Sequence, residues 1–443
     1  MSNKRKNQKA ILEKLKIEAL NPMQVAAQET ILLNKEVVLL SPTGTGKTIA
    51  FLLPIIAELT PNSKEIQVLI LVPSRELAIQ IEQVVREMGS GYKVNAVYGG
   101  KSGYKDRIDL KHPPAVLIGT PGRIADHIRR ENISTRQITT LVLDEFDKSL
   151  ETGFEKEMRE IVFALPNIKK KILTSATEKV VVPSFVGLRK PIRLDFLKEA
   201  LPQLKLQIVP APTKYALETL VDLLGHIGAA SGIVFCNLKA TIQVVSKFLK
   251  DRKISHTCFY GGLEQIDRER ALIKFRNGTH RILVATDLAA RGIDVPEMDY
   301  IIHYQLPFKK EEFIHRNGRT ARMNNNGTAY LIQREGKTLP DYIEEVDILE
   351  IRKNITPPSS EWHTLFISGG RKDKISKGDI AGLFLKQGSL QKEELGLIEI
   401  KQECAFVAVP RTKSSLLIKL MNNKRLKKKK IRISLLKNEG RIT

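Results

Sequence analysis

Apolar residues in the first half of the chain gather into short runs at 37–40, 68–72, 94–97, 115–118, 141–143 and 171–173. Most are β-branched or leucine-rich and lack the strict alternation of a half-exposed strand, which is how strands buried on both faces of a parallel sheet read. Longer mixed segments of helical character lie between them, at 75–88 and 154–165 for example. That order predicts βαβ units and an open α/β sheet. The pattern breaks over 195–213, where LPQLKLQIVPAPTK carries three prolines and opens no clear helix; a linker between domains is expected there. It then restarts, with strands expected at 232–235, 256–259, 282–285, 300–303 and 328–331 and helices at 240–251 and 264–275. A second α/β domain of similar build is therefore expected, without an obvious sequence repeat.

A second break, NITPPSSE at 354–361, reads as a Pro/Ser linker. Beyond it strands are expected at 364–367, 396–400, 405–409 and 431–435, with helices at 377–386 and 412–422. The order βαββαβ is that of an RRM-like α+β fold.

Length and composition narrow the class. At roughly 100–200 residues per domain, 443 residues suit about three domains. Hydrophobic residues are 42% and aromatics only 6%, so the cores should be aliphatic. The formal charge of +23 calls for a polyanionic partner, nucleic acid before membrane surface. Residues 361–443 hold 19 Lys and Arg against 8 Asp and Glu, nearly half of that excess. Three scattered cysteines, Cys236, Cys258 and Cys404, exclude a disulfide framework and a cysteine zinc ribbon and fit a reducing compartment. No run of about 18 apolar residues exists, and no apolar signal-peptide core follows the basic start. A cytoplasmic protein without a membrane partner is expected.

The clearest chemistry lies at the first strand end. Ser41, Pro42, Thr43, Gly44, Thr45, Gly46, Lys47 and Thr48 follow the run 37–40 and open a helix expected over 49–59. Glycines there let backbone N–H groups curl round phosphate oxygens, and the helix start adds donors and the positive end of its dipole. Lys47 would reach the β/γ-phosphates and the Thr48 hydroxyl would ligate Mg²⁺. Ser41 stands where the strict P-loop pattern has its first glycine; the plainer reading is a Gly-rich turn with a surface lysine. Asp144 and Glu145 end the run 141–143, where a nucleotide enzyme wants a Mg²⁺ partner and a group that orients water. Alone, the pair would read as an acidic loop.

With these motifs the chain resembles the DEAD-box ATP-dependent RNA helicases of superfamily 2, from about residue 21 to about residue 332. Pro22-Met23-Gln24 is similar to the Q motif, SPTGTGKT to motif I, and Pro73-Ser74-Arg75-Glu76-Leu77-Ala78 to motif Ia. Gly99-Gly100 and Thr120-Pro121-Gly122-Arg123 resemble the GG and Ib elements, Asp144–Asp147 (DEFD) motif II, and Ser175-Ala176-Thr177 motif III. Ile233–Asn237 resembles motif IV, Gln265-Ile266-Asp267-Arg268 the QxxR element, Thr286–Asp294 motif V and His315–Arg322 motif VI. The resemblance implies two tandem RecA-like parallel-sheet domains, residues 1–198 and 214–353 joined by 199–213, and ATP and Mg²⁺ as cofactors. It implies adenine reading by Gln24, catalysis by Lys47, Asp144, Glu145 and the arginine fingers Arg319 and Arg322, Mg²⁺ contacts from Thr48 and Asp144, partly through water, and nucleotide contact by Asp294. It implies RNA contacts by Arg75, Gly100, Thr120, Arg123, Thr286 and Arg291. A basic surface for RNA phosphates is the plainer reading of the two fingers.

Three departures stand out: Phe146 in DEFD, Asn7 where the family carries an aromatic upstream of the Q motif, and Ala321 where motif VI has glycine. The first is expected to alter the coupling of hydrolysis to motif III, the second to weaken adenine stacking. Residues 362–437, after the linker 354–361 and before a tail at 438–443, resemble the RNA-binding domain of the DbpA subfamily. That resemblance implies structured ribosomal RNA as target. Cys404 replaces the first aromatic expected in ECAFVAV, leaving Phe406, so base stacking on the sheet should be poor. Phosphate contacts are expected from Arg371, Lys372, Lys374 and the run 424–430; the plainer reading of that run is a solvated tail. A monomeric RNA helicase is the leading expectation. An ATP-gated RNA clamp or annealing chaperone and a DNA helicase are the alternatives; the Q motif and the RNA-type C-terminal module argue against the last.

Overall fold

The computed structural model describes residues 2–61, 63–100, 103–177, 181–197, 204–287, 298–320, 327–343 and 346–436, with backbone only for 2–7. The chain divides into a unit ending at Leu201 and a unit beginning at Pro202.

The first unit is built on seven parallel strands: β1 Glu36–Leu40, β2 Val68–Leu71, β3 Val94–Val97, β4 Val116–Gly119, β5 Thr140–Leu143, β6 Lys170–Ser175 and β7 Ile192–Asp195. Their order is β3-β4-β2-β5-β6-β1-β7. Alternate residues go to opposite cores. Val37, Leu39, Val68, Ile70, Val116 and Ile118 face one cluster, and Val38, Leu40, Leu69, Leu71, Leu117 and Leu143 the other. This double burial is why the strands read as unbroken apolar runs.

In the second unit β8 Leu204–Ala211, β9 Gly232–Phe235, β10 Thr257–Phe259, β11 Ile282–Ala285, β12 Tyr300–His303, β13 Gly327–Arg334 and β14 Asp347–Ile348 form another parallel sheet. Its order is β10-β11-β9-β12-β13-β8-β14. Here the sequence expectation needs correcting. Most of the segment read as a linker is β8, registered with β13 along its whole length. Pro210 is tolerated because β14 pairs only with Gln207 and Ile208, so no ladder partner waits on that side of the proline.

The same unit carries a four-stranded antiparallel sheet of β15 Trp362–Ile367, β16 Ile398–Ile400, β17 Ala405–Pro410 and β20 Ile433–Leu435, ordered β16-β17-β15-β20. The helix Arg411–Met421 packs on it. The expected helix at 377–386 is split into Lys377–Gly382 and a wider turn, Leu383–Gln387. The basic run is folded, forming the hairpin β18 Arg425–Leu426 with β19 Lys429–Lys430. Among the described residues no helix is long and apolar enough to cross a membrane.

Candidate nucleotide site and nucleic-acid interface

The loop after β1 is fastened from both sides. Asn21 caps the helix Pro22–Leu33, accepting from the Gln24 N–H at 2.9 Å while Gln24 Oε1 accepts from the Asn21 N–H at 3.0 Å. Both side chains then reach the phosphate loop: Asn21 Nδ2 donates to the Thr45 carbonyl at 3.0 Å and Gln24 Nε2 to the Gly46 carbonyl at 3.3 Å. Gly46 has φ +86°, and a Cβ there would lie 2.3 Å from Gln24 Nε2, so only glycine meets both demands. The Ser41 and Thr45 hydroxyls are 2.7 Å apart. The Lys47 ammonium donates to the carbonyls of Ser41 at 2.6 Å and Pro42 at 2.8 Å, at the start of the helix Lys47–Glu58. Gln24, Ser41–Thr48 and the helix start thus converge, as the motifs require.

Asp144 and Glu145 follow β5. One buried hydroxyl serves both: Thr174 Oγ1 donates to Asp144 Oδ1 and accepts from the Glu145 N–H at 3.1 Å. No sequence signal marked Thr174, a lone threonine inside an apolar strand. Glu145 holds left-handed backbone angles, φ 47° and ψ 49°, a strained geometry of the kind kept at functional sites. Phe146 is 1% exposed in the apolar cluster beneath the sheet, so the bulky residue of DEFD is accommodated by packing. Asp147 still accepts from Thr177 Oγ1 at 3.0 Å, which joins motif II to motif III.

Burial, and then the neighbouring Glu145 charge, push the Asp144 carboxyl from its ordinary 3.8 up to about 6. A carboxyl raised on folding holds its proton more tightly in the native state. Its contribution is therefore complete at low pH and is lost as pH rises from about 4 through 6. Asp144→Asn is expected to stabilise the ligand-free fold at neutral pH by about 1–3 kcal/mol and to flatten that part of the stability profile, while ATP turnover disappears. Chemical denaturation between pH 4 and 8 measures it; a variant less stable at pH 7.5 would contradict the assignment.

The phosphate loop and the pair Asp144 and Glu145 stand at the carboxyl ends of β1 and β5, with motif III at the end of β6 between them, the usual place for ligands in such sheets. The RNA-matching residues stand over the same edge, at β2, β3 and β4. The Arg75 guanidinium covers Gly99 and Gly100; at Gly100 φ is +85° and a Cβ would lie 2.4 Å from Arg75 Nη1. Thr120 heads the helix Pro121–Arg129. Arg123 donates to Asp106 Oδ2 through Nε at 2.9 Å and lies 2.8 Å from it through Nη2, and His127 Nε2 is 3.4 Å from the same oxygen. Burial alone would raise the Asp106 carboxyl, but the His127 and Arg123 hydrogen bonds hold it below its usual range. Sequence reading did not find Asp106 or His127.

In the second unit, Thr286 ends β11, its N–H donating to the Phe259 carbonyl of β10 at 3.3 Å. Arg268 lies over the Phe259 ring. Arg319 is buried in the turn after the helix Lys310–Asn317. Arg316, given no role by the sequence, is the hub here: it forks onto Asp287 at 2.6 and 2.5 Å, donates to Asn237 Oδ1 at 2.8 Å and reaches the Gln305 carbonyl at 2.6 Å. Motifs IV, V and VI are thereby tied together. Arg291, Asp294 and Arg322 lie outside the described residues.

Arg371, Lys372 and Lys374 are exposed on a turn beside the basic hairpin. Lys427 Nζ joins the two, donating to the Lys374 carbonyl at 2.5 Å and pairing with Asp379 at 2.7 Å, and Lys429 lies 3.5 Å from Asp373.

Comparison with known proteins agrees with this layout. The family model "DEAD/DEAH box helicase" matches residues 21–182, "Helicase conserved C-terminal domain" residues 215–324, and "DbpA RNA binding domain" residues 364–435. The chain belongs to the DEAD-box helicases, an ATP-dependent RNA helicase with RNA-dependent ATPase activity, of the DbpA-like kind. It is similar to the ATP-dependent RNA helicase DbpA of Escherichia coli (strain K12), 32% identical over 445 residues and 96% of each chain. It is also similar to that of Bacillus subtilis (strain 168), 30% identical over 437 residues, covering 90% of this chain and 91% of the other. Among solved structures, S. cerevisiae Dbp5 bound to RNA and ADP BeF3 matches with a TM-score of 0.66 and 27% identity, covering 73% of this chain and 86% of that one. The DEAD-box helicase Mss116 bound to ssRNA and UDP-BeF matches with a TM-score of 0.66 and 26% identity, over 74% of this chain and 72% of that one. Both sheets thus belong to RecA-like helicase domains.

Proposed function

We propose that this helicase remodels structured RNA in the cytoplasm, ribosomal RNA of the large subunit foremost, as a monomer recruited by its C-terminal domain. The observation that carries the target is the pairing of a DbpA RNA-binding domain match over 364–435 with the exposed basic turn and hairpin in that segment. The helicase DbpA relatives, matched along nearly their whole length, support it.

The site's residues divide the work. Lys47 leaves the Ser41 and Pro42 carbonyls for the β/γ-phosphates of ATP, and Gln24 reads the base. Thr48 and Asp144 would hold Mg²⁺, partly through water. A hydroxyl, one carboxylate, waters and phosphates form the oxygen set this ion prefers. When bound, Mg²⁺ supplies charge neutralisation at the phosphates. Glu145 orients the attacking water and takes its proton. Arg319 and Arg322 serve as arginine fingers on the phosphates and Asp294 contacts the nucleotide, so ATP and RNA binding favour one another. Arg75, Gly100, Thr120, Arg123, Thr286 and Arg291 grip one RNA strand along its backbone.

ATPase titrations with a large-subunit ribosomal RNA fragment, an unstructured RNA and duplex DNA test the target. The ribosomal fragment is expected to reach half-maximal stimulation at a concentration at least about tenfold lower. Deletion of residues 361–443 is expected to abolish that advantage and to reduce the salt dependence of RNA binding. Equal stimulation by both RNAs would remove the ribosomal assignment.

A further inference from the structure

The RNA-matching Arg123 does not stand free. It lies one turn from His127 on the helix Pro121–Arg129, and both side chains are aimed at a single carboxylate of the helix Gly103–Leu110. Arg123 meets Asp106 Oδ2 through Nε at 2.9 Å and Nη2 at 2.8 Å, and His127 Nε2 stands 3.4 Å from the same oxygen. Arg123 Nη1 also lies 3.6 Å from Asp126, and a Cβ on Gly103 would lie 3.0 Å from Nη2. The guanidinium is thus clamped against the start of the helix that follows Gly100, with only 15% of its side chain exposed.

The imidazole is itself held in place. The helix closes at Glu131, whose φ of 54° is left-handed. The Glu131 N–H donates to the Ile128 carbonyl at 3.0 Å and the Asn132 N–H to the His127 carbonyl at 2.9 Å, the paired bonds of a Schellman closure. That closure folds Asn132 back over His127, with Asn132 Nδ2 at 3.2 Å from His127 Nδ1. An amide nitrogen only donates, so Nδ1 accepts and the ring proton sits on Nε2, facing Asp106. The opposite tautomer would turn a lone pair toward the carboxylate. His127 is 1% exposed and Asp106 4%, so each depends on the other for its polar partner. Burial alone would raise the Asp106 carboxyl, but the His127 bond first and the Arg123 bond next hold it below its usual range.

We infer that His127 and Asn132 are positioning residues for RNA binding: acting through Asp106, they fix the direction in which Arg123 meets the RNA backbone. The inference rests on the RNA-helicase reading and deepens it. A long arginine side chain that is ordered before RNA arrives loses little rotamer freedom on binding. The chain Asn132–His127–Asp106–Arg123 does that ordering, and its two middle members are buried. Neither His127 nor Asn132 touches the strand. Their effect therefore falls on the affinity for RNA and leaves the phosphate chemistry at the ends of β1 and β5 alone.

Two measurements on the full chain decide it. In the first, ATPase is titrated with an oligouridylate, whose uniform sequence reports the backbone grip. His127→Leu is expected to raise the RNA concentration for half-maximal stimulation about tenfold, with turnover at saturating RNA and nucleotide binding without RNA unchanged. The logarithmic salt slope of RNA binding should become shallower by about 0.7, one phosphate contact on a single strand. His127→Gln is expected to restore most of the affinity, because its amide nitrogen takes the place of Nε2 and donates to Asp106. In an Arg123→Ala background His127→Leu should add nothing. An unchanged half-maximal concentration in His127→Leu, an equal further loss in the Arg123→Ala background, or a glutamine variant no better than leucine overturns the inference. Should leucine unfold the domain, Asn132→Ala at its half-buried position carries the test. It is expected to raise the half-maximal concentration about threefold, and no rise overturns the inference. The second measurement observes isotope-labelled histidine rings by nitrogen NMR without RNA. The Nε2–H tautomer of His127 is expected in wild type and a mixture in Asn132→Ala; an Nδ1–H ring in wild type overturns the inference. Absence of RNA stimulation in the wild type would instead sink the helicase reading, while the ring measurement would still judge how His127 is held.

Discussion

Glu145→Gln is expected to lower RNA-stimulated ATP turnover by about 10²–10⁴-fold without weakening nucleotide binding. The amide is isosteric, so the left-handed backbone and the bond from its N–H to Thr174 remain. What disappears is the group proposed to take a proton from water. The Glu145 charge also helps to raise the Asp144 carboxyl, so its removal should ionise Asp144 more readily and leave Mg²⁺·ATP bound at least as well. The variant should therefore accumulate as a stable ternary complex with ATP and RNA, slow to release either. Single-turnover hydrolysis together with fluorescent-nucleotide binding separates the two effects. Wild-type turnover in this variant would refute the role given to Glu145.

Arg316→Ala should act on the fold of the second helicase domain. Arg316 is 1% exposed and serves Asp287, Asn237 and Gln305 at once, with its guanidinium 5.0 Å from the centre of the Phe235 ring. Truncation would strand the Asp287 carboxylate and the Asn237 amide without their donor. Breaking such a buried pair from one side costs about 3–5 kcal/mol, which for a domain of this size is a loss of about 10 °C in its melting temperature. Lysine should rescue little, because a single ammonium cannot fork onto a carboxylate and still reach two further acceptors. Calorimetry of the full chain measures this; an unchanged melting profile would show that the hub contributes little.

The parallel strands were legible because the sheet is covered on both sides, which leaves Val, Ile and Leu at most of the central positions. β7 escaped the reading since its residues are mostly exposed at the sheet edge. β8 escaped it because proline argues against a strand unless the missing donor falls where no partner stands. The helix Ser2–Leu15 was hidden by its polarity; Ile11 is its one buried apolar residue among those described, and Lys14 bonds the Gly89 carbonyl at 3.0 Å. Gln24, the phosphate loop, Asp144 and Glu145 could be found because each sits in a contiguous motif. The structural roles of Thr174 and Arg316 could not: their partners come from elsewhere in the chain, Asn237 being 79 residues from Arg316.

The first sheet carries the RNA-matching residues over β3, β4 and β2 and the nucleotide-matching residues over β5 and β1, and β2 pairs directly with β5. On the proposed assignment of these residues one close-packed slab underlies both ligands, and a free-energy cycle closes on it. Whatever factor RNA contributes to the affinity for ATP, ATP must return to RNA in full. A substitution at the β2–β5 seam, such as Ile70 or Val142 to alanine, should shrink both factors by the same ratio, leaving each ligand's solo affinity less affected than their cooperation.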